Sequence, residues 1–346
     1  MRPSGIFNTS YNQDIAIIRT NLQWVLFIAL IIGIFALPLV YQGYWIGFLV
    51  FVGISAITAL GLMLLSGFCG QISLGHSAFM GVGGFTAALL VFKLGVSFWL
   101  ALPAAGIMAG ITGLVFGAPS LRLKGFYLAL ATLAAQFILG WLLYRFFGGA
   151  SGVRVAPPSI GGLVLDSDAK FYYLVMVMLV LLTFFAKSIV RGRTGRAFVA
   201  VRDNDIAAET MGINVFGYKL MAFFIGCFYA GIAGALYVFW LGVAQSAHYT
   251  LMHSIWFLSM VVVGGMGTIT GALFGTLFIR VVEEAGRRLA PMVGSSIPAL
   301  AFGVGASLPD IFIGLAIVIF LILEPRGLAH RWEMFKVSYR LHPFSY

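Results

Sequence analysis

The stretch YWIGFLVFVGISAITALGLMLLS, residues 44–66, decides the fold class of this chain. It contains no charged residue, and about 20 consecutive apolar residues are enough for a helix to cross a bilayer. Comparable apolar runs lie at 22–41, 76–94, 97–117, 125–146, 170–190, 219–243, 253–266, 268–281 and 309–324. The sequence therefore predicts an all-α, polytopic transmembrane helical bundle with about ten membrane segments.

The composition agrees with a lipid environment for most of the chain. Of 346 residues, 61% are hydrophobic and only 9% are charged, whereas an ordinary soluble domain carries about 25% charged residues. The net charge of +10 is better explained by topology than by nucleic acid, because Lys and Arg collect in the cytoplasmic loops of membrane proteins. We therefore predict a lipid bilayer as partner and no nucleic acid.

The distribution of basic residues predicts the orientation. With the N-terminus inside, the inner segments hold 14 of the 21 Lys and Arg residues, so an N-in, C-in orientation is favoured. These inner segments are 1–21, 118–124, 187–219 and 325–346. The predicted organisation is a cytoplasmic N-terminal segment at 1–21, a transmembrane domain at 22–324 with a cytoplasmic loop at 191–218, and a cytoplasmic C-terminal tail at 325–346.

One charged cluster falls on the outer side of this topology. Its charges mostly balance, and we expect it to form an interfacial helix that lies on the membrane surface. The cluster consists of Arg280, Glu283, Glu284, Arg287 and Arg288.

The motifs that the sequence lacks limit the source of energy. No GxxxxGK[ST] phosphate loop occurs, so the chain is not expected to hydrolyse ATP. No acidic residue lies from Ile15 to Leu165, and we expect none inside the later spans, whereas a proton-coupled carrier normally keeps an intramembrane carboxylate. No spacing indicates a metal site, a cofactor or a catalytic cluster. A passive channel, an ion-coupled secondary transporter and a partner-driven membrane domain remain.

The inner loop contains a short capped helix. Asp203, Asn204 and Asp205 are each good N-cap residues, because their side-chain oxygens can accept hydrogen bonds from unpaired helix N–H groups. Residues 206–211 are expected to form the helix, and Gly212 suits the left-handed position after its end. A helix of under two turns is marginal alone in water. It either docks into a partner ATPase or lies on the bilayer surface, and the spacing does not decide between the two.

Glycines interrupt the apolar runs at two places. The first break, 67–75, separates the second run from the third, and the second divides 253–281 into two short helices. Each is either an unwound segment beside a transport path or a plain turn with close helix packing. The charge count puts the first break on the inner side, where we expect a gate or inner mouth. The residues predicted for a translocation path or gate are Gln71, Ser73, Gly75, His76, Gly264, Gly265 and Gly267.

Several longer segments resemble the LivM-type permeases of the branched-chain amino acid ABC transporter family. GQISLGHSAF at 70–79 and LRLKGFYLA at 121–129 are similar to the family's GQISLGHxAF and LRLxGxYLA motifs. The segments 195–219 and 254–271 also resemble family motifs. Within 195–219, Ala207, Ala208 and Gly212 match the E-A-A-x-x-x-G loop of importer permeases, while Ile206 stands at the position of the glutamate.

The resemblance implies the permease subunit of an ATP-driven importer in the bacterial inner (plasma) membrane. The implied partners are a homologous second permease, two cytoplasmic ATP-binding subunits that use the ATP, and a periplasmic solute-binding protein. The implied substrates are branched-chain or other hydrophobic amino acids, or small solutes such as amides, urea or aromatic acids. The residues then predicted to couple to the ATPase are Asp203, Asn204, Asp205, Ala207, Ala208, Glu209 and Gly212.

Overall fold

The computed structural model describes residues 21–41, 43–120, 126–147, 152–160, 163–296, 301–324 and 326–341. Most of these residues lie in α-helices, which confirms the predicted all-α class. The helices are α1 (Asn21–Val40), α2 (Tyr44–Leu62), α3 (His76–Leu94), α4 (Phe98–Ser120), α5 (Phe126–Phe146), α6 (Asp168–Arg191), α7 (Arg193–Asp203), α8 (Asp205–Thr210), α9 (Val215–Leu241), α10 (Leu251–Gly264), α11 (Ile269–Ser296), α12 (Ala301–Leu323) and α13 (Leu328–Leu341).

Four short strands and two irregular helical turns complete the described part of the chain. A π-helical turn, Met63–Phe68, continues α2, and a 3-10 turn, Ser246–His248, precedes α10. The strands are β1 (Val153–Arg154), β2 (Ser159–Ile160), β3 (Leu163–Val164) and β4 (Val243–Ala244). β1 pairs antiparallel with β4, and β2 pairs with β3. The loop after α5 is thereby tied to the end of α9.

Seven segments of the described residues are long and apolar enough to cross a membrane, which supports a polytopic bundle. They are Tyr44–Phe68, His76–Leu94, Phe98–Pro119, Tyr127–Phe146, Asp168–Arg191, Val215–Leu241 and Ser246–Gly264. Two shorter apolar segments, Ile31–Val40 and Asp310–Phe320, lie in α1 and α12. The count of ten membrane segments and the N-in orientation stay predictions. The N-terminal segment 1–20 and the basic turn 121–125 lie outside the described residues.

Glycines let α9 pack tightly in the middle of the bundle. A Cβ atom at Gly83 of α3 would lie 2.3 Å from the Cα of Gly231. A Cβ atom at Gly234 would lie 1.9 Å from the Met80 carbonyl oxygen. No larger residue fits at these crossings, because the backbones themselves are in contact. The α9 helix therefore fixes α3 in place, and α3 begins at the candidate site described below.

The charged cluster after α10 is not a surface helix. The α11 helix runs unbroken from Ile269 to Ser296. The second helix was predicted to end at residue 281, so that prediction was too short. Arg280, Glu283 and Glu284 are buried, each with at most 6% of its surface exposed. Glu283 and Glu284 lie beyond the predicted span 268–281, so the expected absence of carboxylates inside the later spans stays a prediction.

Ion pairing explains how these charges are accommodated inside the protein. Arg280 Nη1 donates to Glu283 Oε2 at 2.5 Å, and Arg280 Nε donates to Ser55 Oγ at 3.0 Å. The exposed Arg287 and Arg288 pair with Glu283 and Glu284, each at 2.6 Å. Burial of a charge is tolerated only with such partners, and Ser55 lies 225 residues away in sequence. The local charge pattern therefore could not reveal the contact between Arg280 and Ser55.

Candidate coupling and translocation site

The cytoplasmic loop predicted at 191–218 is mostly helical. The α7 helix follows α6 after the single residue Gly192, and it buries the apolar residues Ala197, Phe198 and Val201 on one face. A Cβ atom at Gly195 would lie 2.0 Å from the Val190 carbonyl oxygen, so the chain folds back tightly after α6. No helix was predicted at α7, although the spacing of its apolar residues fits one face of a helix.

The predicted short helix is present as α8, one residue earlier than expected. Of the three candidate caps, Asn204 is the one used, because its Oδ1 accepts a hydrogen bond from Ala207 N at 3.0 Å. Asp203 instead pairs with Arg202 at 2.9 Å, and Asp205 pairs with Lys219 at 3.5 Å. After the helix, Gly212 adopts φ 82°, the left-handed conformation that was predicted.

The two alanines of α8 face opposite ways. Ala208 is buried among the core residues of the protein, whereas Ala207 is exposed. Of these two predicted coupling residues, only Ala207 therefore presents its side chain to a partner. The exposed apolar side chains here are Ile206, 66% exposed, and Met211, 83% exposed. Neither residue was predicted to belong to a docking surface.

The first glycine break is an unwound segment between the π-helical turn and α3. Gly70 adopts φ 73°, and residues 70–75 have no regular secondary structure. Ser66 Oγ donates to the Gln71 carbonyl oxygen at 2.8 Å, which holds the start of the segment. A Cβ atom at Gly75 would lie 2.2 Å from the Thr132 carbonyl oxygen. The end of the segment is therefore pressed against the backbone of α5.

Side chains from two other helices cap the buried N-terminus of α3. Ser77 N donates to Ser254 Oγ at 2.9 Å, and Ala78 N donates to Gln136 Oε1 at 3.0 Å. Gln136 Nε2 donates in turn to the Tyr249 carbonyl oxygen at 2.7 Å. The first helical N–H groups are satisfied by these side chains, so the start of α3 is locked to α5 and α10.

Several buried polar atoms around this helix start have no hydrogen-bond partner among the described residues. They belong to side chains that are at most 3% exposed. Buried polar atoms are normally paired with protein or with ordered water. They are Gln71 Oε1, Ser73 Oγ, both His76 ring nitrogens, Ser77 Oγ and the Tyr249 hydroxyl.

A cavity of about 490 Å³ opens beside this polar cluster. The α5 wall carries Phe137, Trp141 and Tyr144, and Gln136 and Tyr249 also line the cavity. Gln136 thus touches both the cavity and the capped N-terminus of α3. An apolar wall with a few convergent polar groups is typical of a small-molecule site.

The second glycine break lies where the sequence predicts it, between α10 and α11. Gly265 and Gly267 adopt φ values of 108° and 84°, which other residues rarely adopt. A Cβ atom at Gly264 would lie 2.0 Å from the Gly271 carbonyl oxygen. Thr268 Oγ1 donates to the Gly265 carbonyl oxygen at 3.0 Å and closes the turn.

The two breaks meet, and Arg202 lies at their junction. Gly267 N donates to Met63 Sδ at 3.3 Å, and a Cβ atom at Gly67 would lie 2.8 Å from Gly267 N. Arg202 Nη1 donates to the Gly67 carbonyl oxygen at 3.0 Å. Added Cβ atoms at Gly70 and Gly267 would lie 2.8 and 3.0 Å from its side chain. The last turn of α7 therefore touches both unwound segments.

The predicted path residues fall into two groups. Gly267 lies near Arg202 at the junction of the breaks, and His76 starts the capped α3 helix. Ser254, which caps that helix, precedes Gly264 by ten residues of α10, or about 15 Å along a helix axis. Arg202 itself was counted in the sequence only as an inner basic residue. No local pattern indicates that it reaches residues 135 positions away.

Comparison with known proteins identifies relatives for most of the chain. The family model described as branched-chain amino acid transport system / permease component matches residues 44–321. The high-affinity branched-chain amino acid transport system permease protein LivM of Escherichia coli K12 is 33% identical over 255 residues, and that of Salmonella typhimurium LT2 is 32% identical. Each match covers 66% of this chain and 60% of the relative.

A third relative matches over a longer part of both chains. It is the probable branched-chain amino acid transport permease protein LivH of Methanocaldococcus jannaschii, which is 25% identical over 297 residues. This match covers 82% of the chain and 90% of the relative. No solved structure matches the chain.

Proposed function

This chain belongs to the family of branched-chain amino acid transport permeases, and from that premise we propose that it is the membrane-spanning subunit of an ATP-driven importer. It is a multi-pass protein of the inner membrane. The observation that carries the proposal is the contact between the capped helix region and both glycine breaks, through Arg202. A partner that moves α8 would thereby act on the unwound segments.

The proposed docking surface for the ATPase is the exposed side of α8. Ile206, Ala207 and Met211 project from it, and exposed apolar side chains of this kind suit a groove on a partner. Ile206 here takes the place of the glutamate in the importer loop. Asn204 and Gly212 fix the two ends of the helix. Ala208, which is buried, anchors the opposite side of the helix to the rest of the permease.

In the proposed mechanism, closure of the ATP-binding subunits pushes on α8 and shifts α7 with it. Arg202 carries this shift to the Gly67 carbonyl oxygen and to the turn at Gly267. Both breaks lack regular helical hydrogen bonds, so they can change their backbone dihedral angles more readily than the flanking helices. The path would then open to one side of the membrane or to the other.

We propose that the substrate passes the cavity beside Gln136. Its aromatic wall suits a hydrophobic side chain, while Gln136 and Tyr249 bring polar groups to the lining. Branched-chain amino acids, or other hydrophobic amino acids, fit this combination. The proposal includes the other solutes that the resemblance implies, which are amides, urea and aromatic acids.

The proposed assembly contains a homologous second permease, two cytoplasmic ATP-binding subunits and a periplasmic solute-binding protein. The family description as a permease component supports the existence of further subunits. The binding protein would dock on the side of the β1–β4 pair, opposite α8. In this assembly the chain catalyses no reaction and holds no cofactor, because its partners use the ATP.

The buried carboxylates weigh little in favour of the alternative, an ion-coupled secondary transporter. Glu283 and Glu284 are each paired with arginine, and Glu284 also accepts a hydrogen bond from the Tyr44 hydroxyl at 2.6 Å. A proton carrier needs a carboxylate that can bind and release its proton. Carboxylates held between cations are poor candidates for that role.

Cross-linking tests the docking surface. We expect Met211→Cys to cross-link to a co-expressed ATP-binding subunit, because this side chain is 83% exposed. Both native cysteines are buried, and burial raises the pKa of the Cys69 thiol to about 11, so they compete little for the reagent. The control is Leu94→Cys, which is 70% exposed at the far end of α3.

The cross-linking result is read together with uptake. A cross-link at Met211→Cys but not at Leu94→Cys, in cells whose uptake stops on ATP depletion, agrees with the proposal. The opposite result has two parts. Neither cysteine variant forms a cross-link although the cross-linking reagent labels both equally, and uptake survives ATP depletion. Together these would favour a secondary transporter or a channel.

A further inference from the structure

An apolar groove of about 610 Å³ lies between α11 and α13. It is nearly free of polar surface apart from Arg331, and most of its lining side chains are exposed. Such exposed apolar surface indicates contact with lipid or with another protein. The walls include Phe274, Leu277, Phe278 and Val281 on α11, and Trp332 and Phe335 on α13.

Basic side chains collect at one end of this groove. Lys187, near the end of α6, lies close enough to Arg191 and to Lys336 to be affected by the positive charge of each. Lys336 follows Phe335 directly and stands four residues after Trp332, so it shares the groove side of α13. Arg331 is paired with Glu324. Glu333, three residues before Lys336, reduces the local charge but leaves a positive excess.

The position of the basic cluster fits one membrane leaflet. Lys187 and Arg191 immediately precede Gly192 and α7, so the cluster lies on the side of the bundle that carries α7 and α8. This is the side that the basic residues predict to be cytoplasmic. Anionic lipids of that leaflet attract clustered Lys and Arg residues next to membrane helices. An apolar groove that ends in basic residues offers separate surfaces for an acyl chain and for a phosphate.

The geometry points to a binding site for one anionic glycerophospholipid from the leaflet on the α8 side. An acyl chain lies in the groove against Trp332 and Phe335, and the lipid phosphate lies near Lys187 and Lys336. A protein partner fits less well, because the groove is bounded by α11 within the bundle and has little polar surface for a protein rim. The bound lipid would join α13 to the end of α6, directly before the coupling helices.

Native mass spectrometry of the full-length chain tests this site. The purified, delipidated protein is incubated with equal amounts of phosphatidylglycerol and phosphatidylcholine that have the same acyl chains. We expect the first bound lipid to be phosphatidylglycerol by about tenfold or more, because basic residues near the headgroup each add to its attraction. The double variant Lys187→Gln, Lys336→Gln should bind the two lipids about equally.

Matched variants separate the headgroup from the acyl chain. Lys93→Gln removes one exposed positive charge at the other end of the bundle and should leave the preference unchanged. Trp332→Ala should weaken binding of both lipids, whereas Trp99→Ala, an exposed tryptophan on α4, should weaken neither. If the double variant does not fold, Lys336→Gln alone can be tested, because it lies at an exposed position of α13. It should reduce the preference for phosphatidylglycerol over phosphatidylcholine to roughly its square root.

Three outcomes would overturn the proposal. The first is equal binding of the two lipids by the unaltered chain. The second is a preference that persists in the Lys336→Gln variant as strongly as in the Lys93→Gln control. The third is loss of the lipid when the chain is purified with its partner subunits, which would mean that a protein partner fills the groove.

Discussion

The Arg202→Gln variant isolates the proposed link between the coupling helices and the glycine breaks. The change removes the charge and the donor to the Gly67 carbonyl oxygen, a contact of 3.0 Å. Glutamine keeps a polar side chain of moderate length, so the packing near Gly70 and Gly267 is disturbed little. The docking surface of α8 and the cap at Asn204 are not altered.

The magnitude of the effect follows from the two interactions that are lost. A hydrogen bond from a charged donor contributes about 1.5–3 kcal/mol. The pair with Asp203 is largely exposed to solvent and contributes about 0–1 kcal/mol. If the first interaction carries the coupling, its loss corresponds to a reduction of roughly 10- to 150-fold.

The assay measures ATP hydrolysis and uptake in the same proteoliposomes. We expect hydrolysis by the partner subunits to continue in the Arg202→Gln variant, while solute uptake per ATP falls by roughly 10-fold or more. Arg196→Gln is the matched control, since it removes the same charge from an exposed position of the same helix. Asp203→Asn tests the surface pair and should change uptake by less than about fivefold.

Two results would contradict a role of Arg202 in coupling. Unchanged uptake per ATP in Arg202→Gln would show that the contact with Gly67 does not transmit motion. An equal loss in Arg196→Gln would assign the effect to the net charge of α7 rather than to the junction.

Three further predictions concern packing, burial and docking. Gly75→Ala places a Cβ atom 2.2 Å from a backbone oxygen of α5 and should destabilise the protein by about 1–3 kcal/mol or more in thermal unfolding. The control Gly140→Ala has no atom within 4 Å of the added Cβ and should be tolerated. Equal stability of the two variants would contradict the close contact. Glu283→Gln leaves Arg280 buried without its charged partner and should cost about 3–5 kcal/mol in unfolding experiments, and a loss under about 1 kcal/mol would contradict the buried pair. Met211→Asp should reduce co-purification of the ATP-binding subunits at least about tenfold without lowering the thermal stability of the permease; unchanged co-purification would exclude this side chain from the interface.

Local sequence signals predicted the features that depend on neighbouring residues. The α8 helix was placed within one residue, because an Asx cap and a following glycine define a short helix without help from the rest of the fold. Both glycine breaks were located for a similar reason. Gly265 and Gly267 have backbone angles that glycine adopts most easily, so their clustering marks a turn in advance of any tertiary contact.

Features that depend on distant partners could not be predicted. Arg202 reads as an ordinary inner basic residue, since its acceptor on Gly67 is 135 residues away. Arg280 reads as an interfacial charge, although it pairs with Ser55 and Glu283 in the interior. The inward direction of Ala208 depends on how α7 and α8 fold against the bundle, and the motif that places Ala207 beside it contains no information on that packing.

In the proposed mechanism, ATP bound by partner subunits on the α8 side drives transport through this permease. The most direct measurement is uptake of radiolabelled leucine into proteoliposomes that contain the permease with its second permease, ATP-binding subunits and solute-binding protein, with ATP present or absent on the α8 side. We expect uptake to require ATP and to fall at least about tenfold in Met211→Asp. Equal uptake without ATP, or full ATP-driven uptake by Met211→Asp, would contradict this mechanism.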